Sequence, residues 1–189
     1  MGLARNGREI LAFGVFAFCM TALVGGIGFA KPAVANPSAK TGQSGLEVPR
    51  FVSLKASRVN LRKGPGTEYS TAWVFRRAGL PVEVVREYEL WREVRDAEGT
   101  TGWVNRSLLS NRRTGQILPW DVQSGQEAPL VSLLSDESDR AKVVAIVEAG
   151  VIADLHECDG TWCRVSVENY SGYIRQKKIW GIYPSETLK

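Results

Sequence analysis

The chain has 189 residues, with 24 Lys or Arg against 20 Asp or Glu, a formal net charge of +4 and a single histidine. One histidine excludes a two-histidine metal site and leaves one candidate for a Ser-His-Asp arrangement. The charge is too nearly balanced for its sign alone to name a partner.

Residues 1–35 read as an export signal. Arg5 and Arg8 make a positive start, residues 10–30 are apolar and uncharged, and Ala33-Val34-Ala35 supplies the small side chains that a signal peptidase requires. Cleavage is expected between Ala35 and Asn36, which makes the mature chain periplasmic or secreted. The apolar run could just span a bilayer, so membrane attachment would come only through this segment if it were retained. Cys19 follows Phe18, where a lipobox needs a small residue. Residues 36–50, rich in Pro, Ser, Gly, Thr and Ala, have the composition of a flexible linker.

Packing resumes near Phe51. Val59-Asn60-Leu61-Arg62-Lys63-Gly64-Pro65-Gly66 is a short extended run that ends in a tight reversal, since Gly64 and Gly66 accept positive φ while Pro65 fixes φ and removes a donor. Val82-Glu83-Val84 alternates like a half-buried strand, and Gly102-Trp103-Val104 closes the unit. Trp91 and Val94 are three apart and would face opposite sides of a flat strand, so that strand must bend if both are buried.

The pattern then repeats. Gly79-Leu80-Pro81-Val82 is answered by Gly150-Val151-Ile152-Ala153, Trp91-Arg92-Glu93-Val94 by Trp162-Cys163-Arg164-Val165, Gly102-Trp103-Val104 by Gly172-Tyr173-Ile174, and Leu61 by Leu133. These ordered matches sit about 71 residues apart, the mark of a tandem repeat. The segments are short, Gly falls between them, and no amphipathic helix of useful length occurs. The expected fold is all-β, two small barrels or sandwiches in tandem. Residues 51–115 form the first, 116–127 the connection, 128–184 the second and 185–189 a tail.

Cys158-Asp159-Gly160-Thr161-Trp162-Cys163 holds the two cysteines of the mature chain. Asp-Gly is a favoured two-residue hairpin turn. Centred there, it sets Cys158 opposite Thr161 with Cys163 diagonal, unless a bulge shifts the register. The expectation is a short structural disulfide. A redox pair and a pair of zinc ligands are the rival readings, with the four-residue spacing and the absence of a second Cys or His pair against both.

The run Val59 to Gly66, with Gly79, Val82, Trp91-Arg92-Glu93-Val94 and Gly102-Trp103-Val104, resembles the bacterial SH3-like domain. Trp73-Val74-Phe75, Leu80-Pro81-Val82-Glu83-Val84, Leu108-Leu109-Ser110, the Cys-Asp-Gly-x-Trp-Cys hairpin and Trp180-Gly181-Ile182-Tyr183-Pro184 resemble a tandem subgroup of exported proteobacterial proteins. The resemblance implies two five-stranded barrels. It also implies, as ligand, a cell-wall peptide (a peptidoglycan stem peptide) or a periplasmic protein. The second copy departs from the pattern where Ser135-Asp136-Glu137-Ser138 replaces the Arg-Lys-Gly-Pro-Gly turn.

Catalytic groups are sparse. His156 reads as a surface strand residue rather than a base, and a Cys163–His156 nucleophile is opposed by the expected disulfide. Glu87, Glu89, Glu93, Asp96 and Glu98, interleaved with Arg86, Arg92 and Arg95, read as a solvated hairpin rather than paired catalytic carboxylates. The chain is read as a non-enzyme with no cofactor and no metal. Binding is the positive expectation, with Arg62, Tyr69, Trp73, Arg76 and Tyr88 as the candidate ligand residues: an aromatic floor with a cationic rim, suited to a peptide or glycan that carries carboxylates. A scaffolding role without a small ligand, or an accessory role in a cell-wall hydrolase complex, is the alternative. Residues 51–115 carry twelve Lys or Arg and seven Asp or Glu, a net +5, while residues 127–189 carry seven and ten, a net −3. Opposite signs favour contact between barrels or between molecules, while export and the mixed acids argue against nucleic acid. No oligomeric state is indicated.

Overall fold

The structure, a computed structural model, describes residues 40–189. The export segment and the expected cleavage point between Ala35 and Asn36 lie outside the described residues. From Lys40 the chain opens with a hairpin of β1 (Lys40–Thr41) and β2 (Glu47–Val48), which corrects the flexible linker expected over 36–50 for its described part, residues 40–50. The cause is polar. The Glu87 carboxylate accepts the Ser44 N–H at 2.7 Å and the Ser44 hydroxyl at 2.8 Å, and Gln43 Oε1 accepts the Glu89 N–H at 2.8 Å.

The first barrel follows: β3 (Arg50–Leu54), β4 (Val59–Arg62), β5 (Thr71–Phe75), β6 (Pro81–Tyr88), β7 (Trp91–Arg95), β8 (Thr101–Asn105) and β9 (Leu109–Ser110). Its strand order is β5-β4-β8-β7-β6-β3-β9, and every adjacent pair is antiparallel. The second is β10 (Thr114–Ile117), β11 (Leu130–Leu134), β12 (Val143–Glu148), β13 (Ile152–Asp159), β14 (Trp162–Val167), β15 (Tyr170–Arg175), β16 (Ile179–Trp180) and β17 (Thr187–Leu188). Its order, β12-β11-β15-β14-β13-β10-β16, reproduces the first term by term, with β17 added on β13. Each path has seven strands rather than five, the last of each, β9 and β16, being a two-residue segment.

The boundaries shift accordingly. Thr114–Ile117, expected to straddle the end of the first domain and the connection over 116–127, is the opening strand of the second sheet, and Ile117 is fully buried in that core. The expected tail over 185–189 contains β17, whose Leu188 faces Cys158. Each barrel encloses its own cluster of small apolar side chains, led by Leu61, Val84 and Val94 in the first and by Leu133, Val165 and Ile174 in the second.

In both barrels the same hairpin carries the bend. The register of β6 against β7 shifts between Val84 and Arg86, and that of β13 against β14 between Leu155 and Glu157. The extra residues are Val85 and His156, so β7 itself need not bend. Trp91 stays half-buried on one face while Arg92 and Val94 are buried on the other. His156 is exposed, with Nε2 2.8 Å from Ser166 Oγ.

Beyond the bulge the hairpins differ in chemistry. Glu87 faces Arg92 in the first, and Cys158 faces Cys163 in the second. The cysteines form a disulfide. The turn is centred on Gly160-Thr161 and not on Asp159-Gly160, because Asp159 Oδ1 accepts the N–H groups of Thr161 at 2.6 Å and Trp162 at 2.7 Å, while Gly160 takes a φ of +95°. That centring puts the cysteines directly opposite each other. In the first barrel Arg92 Nε lies 3.0 Å and Arg50 Nη2 2.7 Å from Glu87 Oε1, with the Glu87 side chain only 1% exposed. The solvated hairpin expected here is therefore corrected for Glu87 and Arg92, which are buried beneath the β1–β2 loop.

The barrels meet along β3 and β10. The buried hydroxyls of Ser53 and Thr114 lie 2.6 Å apart, and Thr114 donates to the Gly79 carbonyl at 2.7 Å. Phe51 sits edge-on to Trp180 at 5.1 Å and against Tyr183 at 4.7 Å between centroids. Between those two residues Gly181 has a φ of +119°, and a Cβ there would overlap the Thr114 carbonyl oxygen. Tyr183 donates to Glu83 Oε1 at 2.9 Å, and Arg95 Nε donates to Glu83 Oε2 at 2.9 Å. Burial first, then the Glu83 carboxylate, push the Tyr183 phenol well above its ordinary value.

Two stability predictions follow from the braced hairpins. Burial would raise the Glu87 carboxyl, but the Ser44 N–H, the Arg50 guanidinium and the Ser44 hydroxyl outweigh it and hold the group below its usual 4.5. A lowered folded value means that the contribution is complete above pH 4.5 and is lost as pH falls through the folded value. The thermal midpoint should therefore fall more steeply with acid below pH 4.5 in the native chain than in Glu87→Gln. Reducing Cys158–Cys163, which spans a separation of 5 residues, should cost about 2 kcal/mol, read as an earlier denaturant midpoint.

Candidate functional site

The five expected ligand residues do not converge on one place. Trp73 and Arg76 do meet, at the free edge of β5. Trp73 is 57% exposed although it pairs with the fully buried Leu61, because β5 is the last strand of the path and its outer side is left uncovered among the described residues. With Val74, Phe75, Arg77 and Leu80 they form one wall of a groove of about 490 Å³. Asp96, Ala97 and Glu98, in the turn between β7 and β8, form the facing wall, and Gln116 and Pro119 of the second repeat close one end.

The groove is bipolar. Arg77 is partly committed, donating to the Gly150 carbonyl of the second repeat at 3.1 Å, and Asp96 Oδ1 caps its own turn by accepting the Glu98 and Thr100 N–H groups at 3.0 and 2.8 Å. Arg76 and Glu98 are exposed and take part in no ion pair among the described residues. An indole face with a free guanidinium on one side and a free carboxylate on the other can hold an extended ligand bearing both charges.

The other three expected residues serve elsewhere. Arg62 donates to the carbonyls of Thr67 at 2.9 Å and Tyr69 at 2.6 Å, tying down the Gly-Pro-Gly loop, and it borders a separate hollow of about 300 Å³ beside Trp91 and Asn105. Tyr69 lays its ring over Gly64, where any Cβ would collide with it. Tyr88 is 47% exposed at the far end of β6, opposite Trp91. The acidic wall, Asp96 and Glu98, was missed as part of a site. Its only sequence signal was the Asp-Ala-Glu-Gly turn, which reads as a simple hairpin tip.

The second repeat does not repeat the aromatic wall of this groove. The position of Trp73 is taken by Ala145, which faces Leu133 as Trp73 faces Leu61. Trp162, the counterpart of Trp91, is buried beneath Arg175, whose guanidinium carbon lies 4.1 Å from the ring centroid and whose Nε donates to Asp139 at 3.1 Å. Catalytic groups do not gather in either barrel: Cys163 Sγ is bonded to Cys158, so the cysteine is no thiolate nucleophile for His156. Among the described residues no group of three or more His, Cys, Asp or Glu side chains is placed to hold a metal ion.

Two small barrels with the same strand order, one of them carrying an open aromatic groove, make up a tandem β-barrel protein. The bacterial SH3 domain matches over residues 55–111 and again over 127–181, and the chain belongs to that family, one of binding rather than catalytic domains. No curated protein matches it. Among solved structures it is similar to NlpC1 from Trichomonas vaginalis, at 16% identity over 79% of this chain and 51% of that one, with a TM-score of 0.31. It is also similar to NlpC2 from the same organism, at 16% identity over 70% and 48%, again with a TM-score of 0.31. The chain spans about half the length of these two proteins.

If Arg62 serves the loop and not the groove, Arg62→Ala should speed amide exchange in residues 63–70 and leave ligand affinity at Trp73 within about twofold. Hydrogen exchange and a binding isotherm on the same sample check both halves.

Proposed function

We propose that this protein is an exported, non-catalytic binding module of the cell envelope, periplasmic or secreted, which takes a peptide of the cell wall in the groove beside Trp73. The observation that carries the reading is a 57% exposed tryptophan flanked by Arg76 and Glu98, neither of them neutralised by a neighbour. Tryptophan and arginine are among the residue types enriched in binding hot spots, and here they line a concave groove. Stem peptides of peptidoglycan carry both carboxylates and amines along an extended backbone, which suits the two walls. Membership of a family of binding domains supports the class of activity. The groove chemistry supports the class of ligand.

The test is co-sedimentation of residues 36–189 with purified insoluble peptidoglycan at low and moderate salt. Retention that survives moderate salt and drops at least about tenfold in Trp73→Ala is expected. Thermal unfolding of that variant should stay within about 0.5 kcal/mol of native, since the side chain is mostly exposed. Retention abolished by salt alone, or unaffected by Trp73→Ala, would overturn the reading and turn attention to a periplasmic protein as the occupant.

A further inference from the structure

The second barrel has a free edge of a different kind. β12 ends the strand path, and among the described residues nothing pairs with its outer side. Its run Val143-Val144-Ala145-Ile146-Val147 contains no charge and no proline. A bulge against β11 at Val144 turns Val143 and Val144 both outward. The exposures are 54% for Val143, 43% for Val144 and 62% for Ile146, with Leu130 of the neighbouring strand at 69%. Edge strands of monomeric proteins usually carry a lysine, a proline or an inward charge that blocks pairing. This one carries its charges only at its ends, Lys142 and Glu148, both exposed and neither in an ion pair among the described residues.

We infer that β12 is a self-complementary edge through which two copies of this chain pair antiparallel, with the two-fold axis at Ala145. In that register Lys142 of each copy lies opposite Glu148 of the other, Val143 opposite Val147, and Val144 opposite Ile146. Val144 and Ile146, both exposed, then cover one another on the outer face of the two copies, while the opposite charges lie at both ends. A slip of the axis by one residue sets Glu148 opposite Val144 in one direction and Lys142 opposite Ile146 in the other, so either slip places a charge against an apolar side chain. The corresponding strand of the first barrel cannot do this. β5 is followed by Arg76 and Arg77 with no acid at its other end, so self-pairing would leave its cations unmatched. The inference is independent of the groove, which lies on the first barrel.

Two short strands and their flanking side chains bury less than the roughly 1,200 Å² of a stable specific interface, so the dimer should be a concentration-dependent equilibrium. Analytical ultracentrifugation of residues 36–189, the compact unit that holds both barrels, between about 1 µM and about 1 mM should show monomer passing to dimer. Lys142→Glu alone and Glu148→Lys alone should each weaken the dimer at least about fivefold, since each places like charges opposite one another twice. The double swap should return it to within about twofold of native. Ile146→Lys should abolish it, with circular dichroism confirming the fold. A monomer at all concentrations overturns the inference and leaves the edge to some other chain. A dimer indifferent to Ile146→Lys, or single swaps that the double swap does not rescue, overturns the register and the edge together.

Discussion

The seam between β3 and β10 is the constraint on which the rest of the molecule depends. Barrels of this size enclose few large side chains and bury only a modest share of their apolar surface. Each core here is built mostly of valine, leucine and isoleucine. Packing one barrel on the other lets Phe51, Trp180 and Tyr183 act as core although they belong to neither interior. The close approach requires Gly181, and it traps the Glu83 carboxylate, 4% exposed, which Arg95 and the Tyr183 hydroxyl satisfy. A buried carboxylate left without those donors would oppose the docking. The Trp-Gly-Ile-Tyr-Pro segment is therefore the clasp of the tandem, and its aromatic residues are structural.

The two braced hairpins show one problem solved by two chemistries, with consequences further out. Both need a cross-link beyond the bulge, where the strands leave the core. The second barrel uses a disulfide, which demands no polar partner, so an apolar strand can cover it, and Leu188 of β17 does. The first uses Glu87 with Arg92, and a buried ion pair is stable only when its remaining hydrogen-bonding capacity is filled. Ser44 and Arg50 fill it. Thus the β1–β2 hairpin is ordered because of the kind of brace it covers, and one repeat becomes sensitive to acid while the other becomes sensitive to reductant.

How much of this was legible in the sequence follows from the range of each interaction. The repeat was visible because Trp91 and Trp162, Gly79 and Gly150, and Leu61 and Leu133 occupy the same place in each barrel at nearly constant spacing. The order of the hairpin and its disulfide was visible too, but its centre was misplaced, because Asp159 accepts two N–H groups and so acts as the corner before the turn rather than as its first central residue. The hairpin at residues 40–48 was read as a linker because one buried carboxylate holds it, and a long-range polar contact leaves no periodicity. Of the groove, Trp73 and Arg76 could be found together because they are three residues apart, on β5 and just past its end. Asp96, Glu98, Gln116 and Pro119 could not, since a turn some twenty residues away and the second repeat bring them there.

The asymmetry of the tandem follows from one position. Where the first barrel places Trp73 across from Leu61, the second places Ala145 across from Leu133. A tryptophan at the edge strand makes that edge bulky and gives the facing turn something to enclose, so the aromatic groove forms there. An alanine leaves the edge flat and lets β-branched neighbours line it, which suits contact with another strand rather than with a small ligand. The surrounding charges agree: the groove edge is flanked by Arg76 and Arg77, and the flat edge by one lysine and one acid. Duplication supplied two equivalent edges, and a single side chain, with the charges beside it, is enough to send them toward different occupants.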